Sequence, residues 1–169
     1  MSSRHLPLSR RRLLGLGATS PLVVLASQSR LLVGAAVAGT PGTLALSDAE
    51  WRKRLSPEAY AVLRQASTEY PLTSPLNNEH RKGTFLCAGC ALPLYSSATK
   101  FDSHTGWPSF YDHLPRAIAD RTDRSLADER TEVRCARCTG HLGHVFEDGP
   151  RPTGLRYCMN GVAMRFVPA

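Results

Sequence analysis

Apolar and polar positions change their pattern twice along this 169-residue chain. An early apolar stretch, Leu13-Leu14-Gly15-Leu16-Gly17 and then Pro21-Leu22-Val23-Val24-Leu25-Ala26, follows an arginine cluster at Arg10, Arg11 and Arg12. Around residue 47 helix-start signals take over. Ser47-Asp48-Ala49-Glu50 has the Ser-x-x-Glu form of a capping box, and Ser56-Pro57-Glu58 puts serine at an N-cap with proline at the first helical position. They predict two short helices over about 48–54 and 57–66, with Tyr60 and Leu63 on one face. Beyond Thr84 the apolar runs shorten. Thr84-Phe85-Leu86, Thr131–Arg134, His144-Val145-Phe146 and Val162–Val167 are divided by Gly, Pro, Asn and Asp clusters, which predicts a small, mainly β, antiparallel domain. The charged, apolar-poor segment from Asp112 to Arg130 reads as a long loop.

Charge divides the chain at the same place. The formal net charge is +7, from 21 Lys and Arg against 14 Asp and Glu, which invites a nucleic-acid or anionic-membrane partner. All 14 acidic residues, however, lie at or after Asp48, and Arg4, Arg10, Arg11, Arg12 and Arg30 lie before it. The remainder is therefore near neutral, which argues against nucleic acid, because affinity there rests on neutralising phosphates. Residues 1–46 read as an export leader: a basic start, an apolar stretch, and the small-x-small sequence Ala36-Val37-Ala38. Ser9-Arg10-Arg11-Arg12-Leu13-Leu14 resembles the twin-arginine type, so the expected location is periplasmic, with the membrane met only in transit. An organellar transit peptide is the competing reading. The run from Leu13 to Ser29 includes Pro21 and falls short of a membrane span. Residues 47–169 form the expected domain.

Five cysteines fall into two kinds. Cys87-Ala88-Gly89-Cys90 and Cys135-Ala136-Arg137-Cys138 are two Cys-x-x-Cys pairs, the arrangement in which two turns each direct two sulfurs at one tetrahedral ion. Ala88, Gly89 and Gly140 suit the tight backbone of such turns, which would sit at facing ends of a sheet. Zinc is the expected ion; iron, disulfides or a dithiol redox pair are the alternatives. Cys158 is left over, between Tyr157 and Met159 on an expected strand. A lone cysteine there is ordinarily a small buried residue, but Arg156 and Asn160, two positions either side, can share its face, and an adjacent cation favours thiolate. His141 and His144 by themselves suit solvent or a core as well as catalysis, and Trp107 suits packing.

Taken together the motifs resemble the methionine-R-sulfoxide reductase family. The resemblance runs from about Asp48 to Pro168 through Gly83–Cys90, Lys100–Ser103, Gly106-Trp107-Pro108-Ser109-Phe110, Arg130–Val133, His141–Phe146, Asp148–Pro150 and Gly154–Cys158 with Asn160. It implies two twisted antiparallel sheets with short N-terminal helices, one structural Zn²⁺ on Cys87, Cys90, Cys135 and Cys138, and Cys158 as nucleophile. It further implies a polar wall of His141, His144, Asp148, Arg156 and Asn160, and substrate contact at Trp107 and Phe110. The chemistry that follows is reduction of the R epimer of methionine sulfoxide, peptide-bound or free, through a Cys158 sulfenic acid. The partners would be oxidised proteins or peptides, and the chain is expected to act as a monomer. Many members carry a recycling cysteine immediately before the Gly-Trp-Pro-Ser-Phe motif; Thr105 stands there instead. The reductant must then be an external thiol: a thioredoxin-like or glutaredoxin-like protein, or a small thiol. Two rivals keep other chemistries open, a zinc-ribbon or rubredoxin-like binding or electron-transfer module, and a zinc hydrolase built on His141 and His144.

Overall fold

A computed structural model describes residues 44–169. Residues 1–43 of the expected leader lie outside them; its last three residues are described, with Leu44 N–H donating to Arg137 O at 3.2 Å and Leu46 packed against the core. Helices α1 (Asp48–Arg54) and α2 (Pro57–Gln65) form where the capping signals place them. Ser47 and Glu50 exchange both capping-box bonds, and the Ser56 side chain accepts from Ala59 N–H. Each helix is too short to persist alone, so its stability comes from the face it buries. That face carries Trp51, Tyr60, Val62 and Leu63, all nearly inaccessible to solvent.

Nine strands follow: β1 (Gly83–Cys87), β2 (Pro93–Ser96), β3 (Lys100–Phe101), β4 (Ser109–Phe110), β5 (Ile118–Asp123), β6 (Arg130–Cys135), β7 (His141–Phe146), β8 (Arg156–Met159) and β9 (Met164–Pro168). They build two antiparallel sheets, one ordered β2-β1-β9 and the other β3-β4-β8-β7-β6-β5. Between the sheets Tyr95 stacks on Phe110 with ring centroids 4.3 Å apart, and its hydroxyl donates to Met159 Sδ at 3.1 Å. Phe85 meets Phe110 edge-on at 4.9 Å, which completes an aromatic core of the kind whose geometry adds to simple burial.

Two expectations change. The segment from Asp112 to Arg130 contains strand β5, which pairs with β6 from Ile118↔Cys135 to Asp123↔Arg130. It is an edge strand whose four central residues face solvent, so its sequence carries no alternation of apolar and polar residues to announce it. The run from Val162 to Val167 is not all strand: Gly161–Ala163 form a short 3₁₀ turn before β9. Among the described residues no helix is long and apolar enough to cross a membrane.

Candidate active site and metal centre

The two Cys-x-x-Cys turns are built alike. In the first, Cys87 N–H donates to Leu92 O and Ala91 N–H to Cys87 O, both at 2.9 Å; in the second, Cys135 N–H donates to Gly140 O at 2.8 Å and Thr139 N–H to Cys135 O at 2.9 Å. The fifth residue of each turn takes the left-handed conformation, Ala91 at φ 60° and Thr139 at φ 57°, so this conformation does not fall on the glycines. Gly89 and Gly140 have a packing role, and a Cβ on Gly140 would stand 2.8 Å from the Leu63 side chain of α2.

All four sulfurs are buried and lie within 4.8 Å of one another, with Cys87 Sγ to Cys138 Sγ at 3.7 Å and Cys90 Sγ to Cys135 Sγ at 3.4 Å. A tetrahedral ion with metal–sulfur bonds of about 2.3 Å sets its sulfurs roughly 3.8 Å apart, so this group can hold a metal ion. The turns hang from β1 of one sheet and β6 of the other, so the ligands join facing ends of two sheets, where one sheet was expected. Arg64 of α2 donates to Cys138 O at 2.9 Å and Arg137 to Cys90 O at 3.1 Å, which fastens the helices and the second turn to the same centre.

Cys158 stands apart from that cluster, half-exposed on β8. Its register partners are Ser109 on β4 and His144 on β7, so the thiol and the imidazole leave adjacent strands on one face. Two positions along, Arg156 opposes Phe146 and its guanidinium lies 4.4 Å over that ring. Cys158, His144, Phe146, Trp107, Asn160 and Arg130 line one hollow of about 160 Å³.

The two histidines reach the same face through an irregularity. Residues three apart on a regular strand point opposite ways, but β7 pairs Val133↔Gly143 and then Arg134↔His141, leaving Leu142 as an extra residue. His141 and His144 therefore behave as next-but-one neighbours, with ring centroids 5.4 Å apart. His144 Nε2 pairs with Asp123 Oδ2 at 2.8 Å, and the same oxygen receives Arg130 Nη2 at 2.7 Å. The hydroxyl and N–H of Ser125, then His144 and Arg130, hold Asp123 well below the usual carboxylate range. His141 lies deeper, its Nδ1 on Glu132 Oε1 at 2.8 Å, and burial pushes its titration down against the opposing pull of Glu132.

The other expected residues fall into three groups. Trp107 lines the hollow and is fixed by its indole N–H to Glu69 O at 3.1 Å. Asn160 also lines it, but its amide oxygen accepts from Glu69 N–H at 3.0 Å and one amide proton goes to Leu142 O at 3.0 Å, which leaves a single N–H for any bound molecule. Arg156 and Asp148 form a two-pronged ion pair at 2.8 Å on the flank; Asp148, and after it the charge of Cys158, hold the guanidinium protonated. Phe110 does not line the hollow. It is completely buried against Tyr95, so the expected substrate contact at this position is corrected to a core role.

Residues 55–168 match the SelR domain. The chain belongs to the SelR family. A protein of Agrobacterium fabrum strain C58 named peptide methionine sulfoxide reductase MsrB is 53% identical over 123 residues, which cover 72% of this chain and 91% of that protein. Proteins of the same name from Thiobacillus denitrificans (52% over 123 residues, 72% of this chain and 93% of theirs) and Leifsonia xyli subsp. xyli (55% over 127 residues, 74% and 91%) are similar to it as well.

Within this SelR domain the sequence reading missed Thr68, Arg130, Phe146 and Asp123. Alternation offers part of the signal, since Phe146 shares a face with His144 on β7, and Arg130 shares one with Glu132, the register partner of His144. Thr68 and Asp123 carried none. Thr105, at the position of the recycling cysteine, places its hydroxyl 3.8 Å from Cys158 Sγ and 2.8 Å from Ser103 Oγ, which in turn meets Ser109 Oγ at 2.7 Å. A hydroxyl chain thus adjoins Cys158.

Proposed function

We propose that the chain reduces the R epimer of peptide-bound methionine sulfoxide to methionine, with Cys158 as the nucleophile. The observation that carries this reading is the register of β7 and β8, which sets a half-exposed thiol beside an imidazole in a hollow walled by an indole. A sulfoxide sulfur accepts a nucleophile only as its oxygen gains a proton. The Cys158 thiolate supplies the electron pair to sulfur, and Arg156, paired with Asp148, supplies positive charge beside it. His144, charged and braced by Asp123, donates the proton to the departing oxygen, while Trp107 offers a flat apolar surface to the methyl group. The oxygen passes to Cys158, giving methionine and Cys158 sulfenic acid. An external thiol then attacks that sulfur, water leaves, and a second thiol releases Cys158 as a thiol and the reductant as its disulfide. Thr105 has no sulfur with which to shortcut this sequence.

His141 acts from behind: held by Glu132, its ring packs edge-on against that of His144 at 5.4 Å and supports it. Zinc suits the four thiolates of the metal centre, as a structural ion with no place in the reaction. The arginine-containing, acid-free start of the chain supports export to a periplasmic, oxidising location, where repair of methionine sulfoxide has most use.

The test is an assay of the chain with dithiothreitol on separated epimers. The R epimer of an acetylated methionine sulfoxide amide should be consumed and the S epimer left; equal consumption, or none, overturns the proposal. The bracing of His144 gives a second expectation. Asp123→Asn keeps a hydrogen-bonding group but removes the carboxylate oxygen that orients the imidazole, so kcat should fall about ten- to a hundredfold with little change in KM. Asp123→Glu should recover part of the loss, and an unchanged kcat in Asp123→Asn would remove this role from the carboxylate.

A further inference from the structure

Tyr70 at 83% and Leu72 at 80% exposure are two of the four large apolar side chains left in solvent among the described residues, and both stand on one short segment beside the hollow. A single exposed apolar residue is ordinary. These two are held out by a backbone pinned on either side. Glu69 turns inward, its carboxylate accepting the N–H groups of Gly161 and Val162 at 2.5 and 3.0 Å, and its main chain engaging Trp107 and Asn160. At the other end Leu72 N–H donates to Gly106 O at 2.7 Å, and Asn77 Nδ2 reaches the same oxygen at 3.0 Å.

The pinning carries strain. Leu72 holds φ 66°, a left-handed conformation that a residue with a Cβ adopts at a cost. Pro71 seats on Gly106, at φ 95°, where a Cβ would come 2.8 Å from the Pro71 ring, so glycine is required at that contact. A fold that spends strain to present leucine and tyrosine to water has positioned them for contact with another molecule.

We propose that Tyr70 and Leu72 form a ledge for the polypeptide that carries the sulfoxide, receiving an apolar side chain within a residue or two of the oxidised methionine. The inference rests on the reductase reading and extends it to the neighbours of the substrate residue. The ledge adjoins the reaction site on two sides: Thr68 lines both the catalytic hollow and a largely apolar depression of about 420 Å³ bordered by Tyr70, Val62 and Val162, and Trp107 belongs both to the hollow and to a more polar depression of about 230 Å³ in which Leu72 and Phe101 stand beside Asn77, Lys100, Asp102 and His104. A chain whose sulfoxide lies between Trp107 and Cys158 runs over the indole onto Leu72. The occupant is apolar because methionine is itself a core residue, and segments exposed with it on unfolding carry other core residues beside it.

The test compares kcat/KM, with dithiothreitol as reductant, for two short peptides in which R methionine sulfoxide is flanked by leucine or by serine, alongside the acetylated methionine sulfoxide amide. The unaltered chain should favour the leucine peptide by about tenfold, the effect of part-burying one or two apolar side chains. Tyr70→Ser combined with Leu72→Asn, a residue that tolerates the left-handed conformation, should bring that ratio close to one and leave turnover of the amide unchanged. A preference that survives in the double variant, or a flat ratio in the unaltered chain, overturns the proposal. It is equally overturned if the double variant keeps the peptide ratio and instead raises KM for a thioredoxin-like protein, since the ledge would then receive the reductant. No turnover of the amide by the unaltered chain would overturn the reductase reading itself, a result separate from any flat preference.

Discussion

Cys158→Ser is expected to lose at least about a thousandfold in thiol-dependent sulfoxide reduction while keeping its fold and its metal. The serine hydroxyl is smaller and remains protonated at neutral pH, so the attacking electron pair is lost with little change in shape. Cys158 is half-exposed and outside the buried sulfur cluster, and conservative changes at such positions ordinarily alter stability by less than about 1 kcal/mol. The measurements are turnover of the R epimer, the thermal melting curve and the metal content, all on one preparation. This outcome also separates the reductase from a hydrolase built on the two histidines, which would keep its activity in Cys158→Ser and lose it to a chelator.

The second large effect is at the metal centre. Cys135→Ala is expected to lose bound metal and most of the stability of the domain, with activity lost as a consequence. Its sulfur is completely buried at the point where β6 of one sheet meets the turn from β1 of the other, and both helices pack against the same turns. A structural zinc site contributes on the order of 10 kcal/mol, comparable with the whole stability of an ordinary domain. The melting temperature should therefore fall by more than about 10 °C, and a chelator strong enough to remove the ion should do the same to the unaltered chain. Elemental analysis should return one zinc per chain before treatment. A metal-free protein with an unchanged melting curve would contradict the assignment.

How much of this was legible in the sequence depended on whether the signal was local. Ser47, Glu50, Ser56 and Pro57 act within one turn, and both helices lie where those residues place them. The metal cluster was legible because paired cysteines carry their own geometry. Strand β5 was not, since an exposed edge strand is specified by its partner β6 rather than by its own pattern, and the loss of β5 hid Asp123 and with it the brace on His144. The approach of His141 to His144 depends on the extra residue Leu142, which no i, i+3 spacing announces. The resemblance implied a substrate contact at Phe110, whereas the register sets it in the core: Ser109 opposes Cys158, so Phe110, opposite Tyr157, turns the other way.

In the proposed reaction Cys158 takes the oxygen and waits for a thiol from outside. A single turnover tests it most directly: the chain is mixed with the R epimer and no reductant, then trapped with a sulfenic-acid reagent and read by peptide mass spectrometry. About one methionine should be released per chain and the reagent found on Cys158, with the four metal cysteines unmodified. A disulfide joining Cys158 to another cysteine of the chain, or methionine formed with Cys158 unchanged, would contradict it.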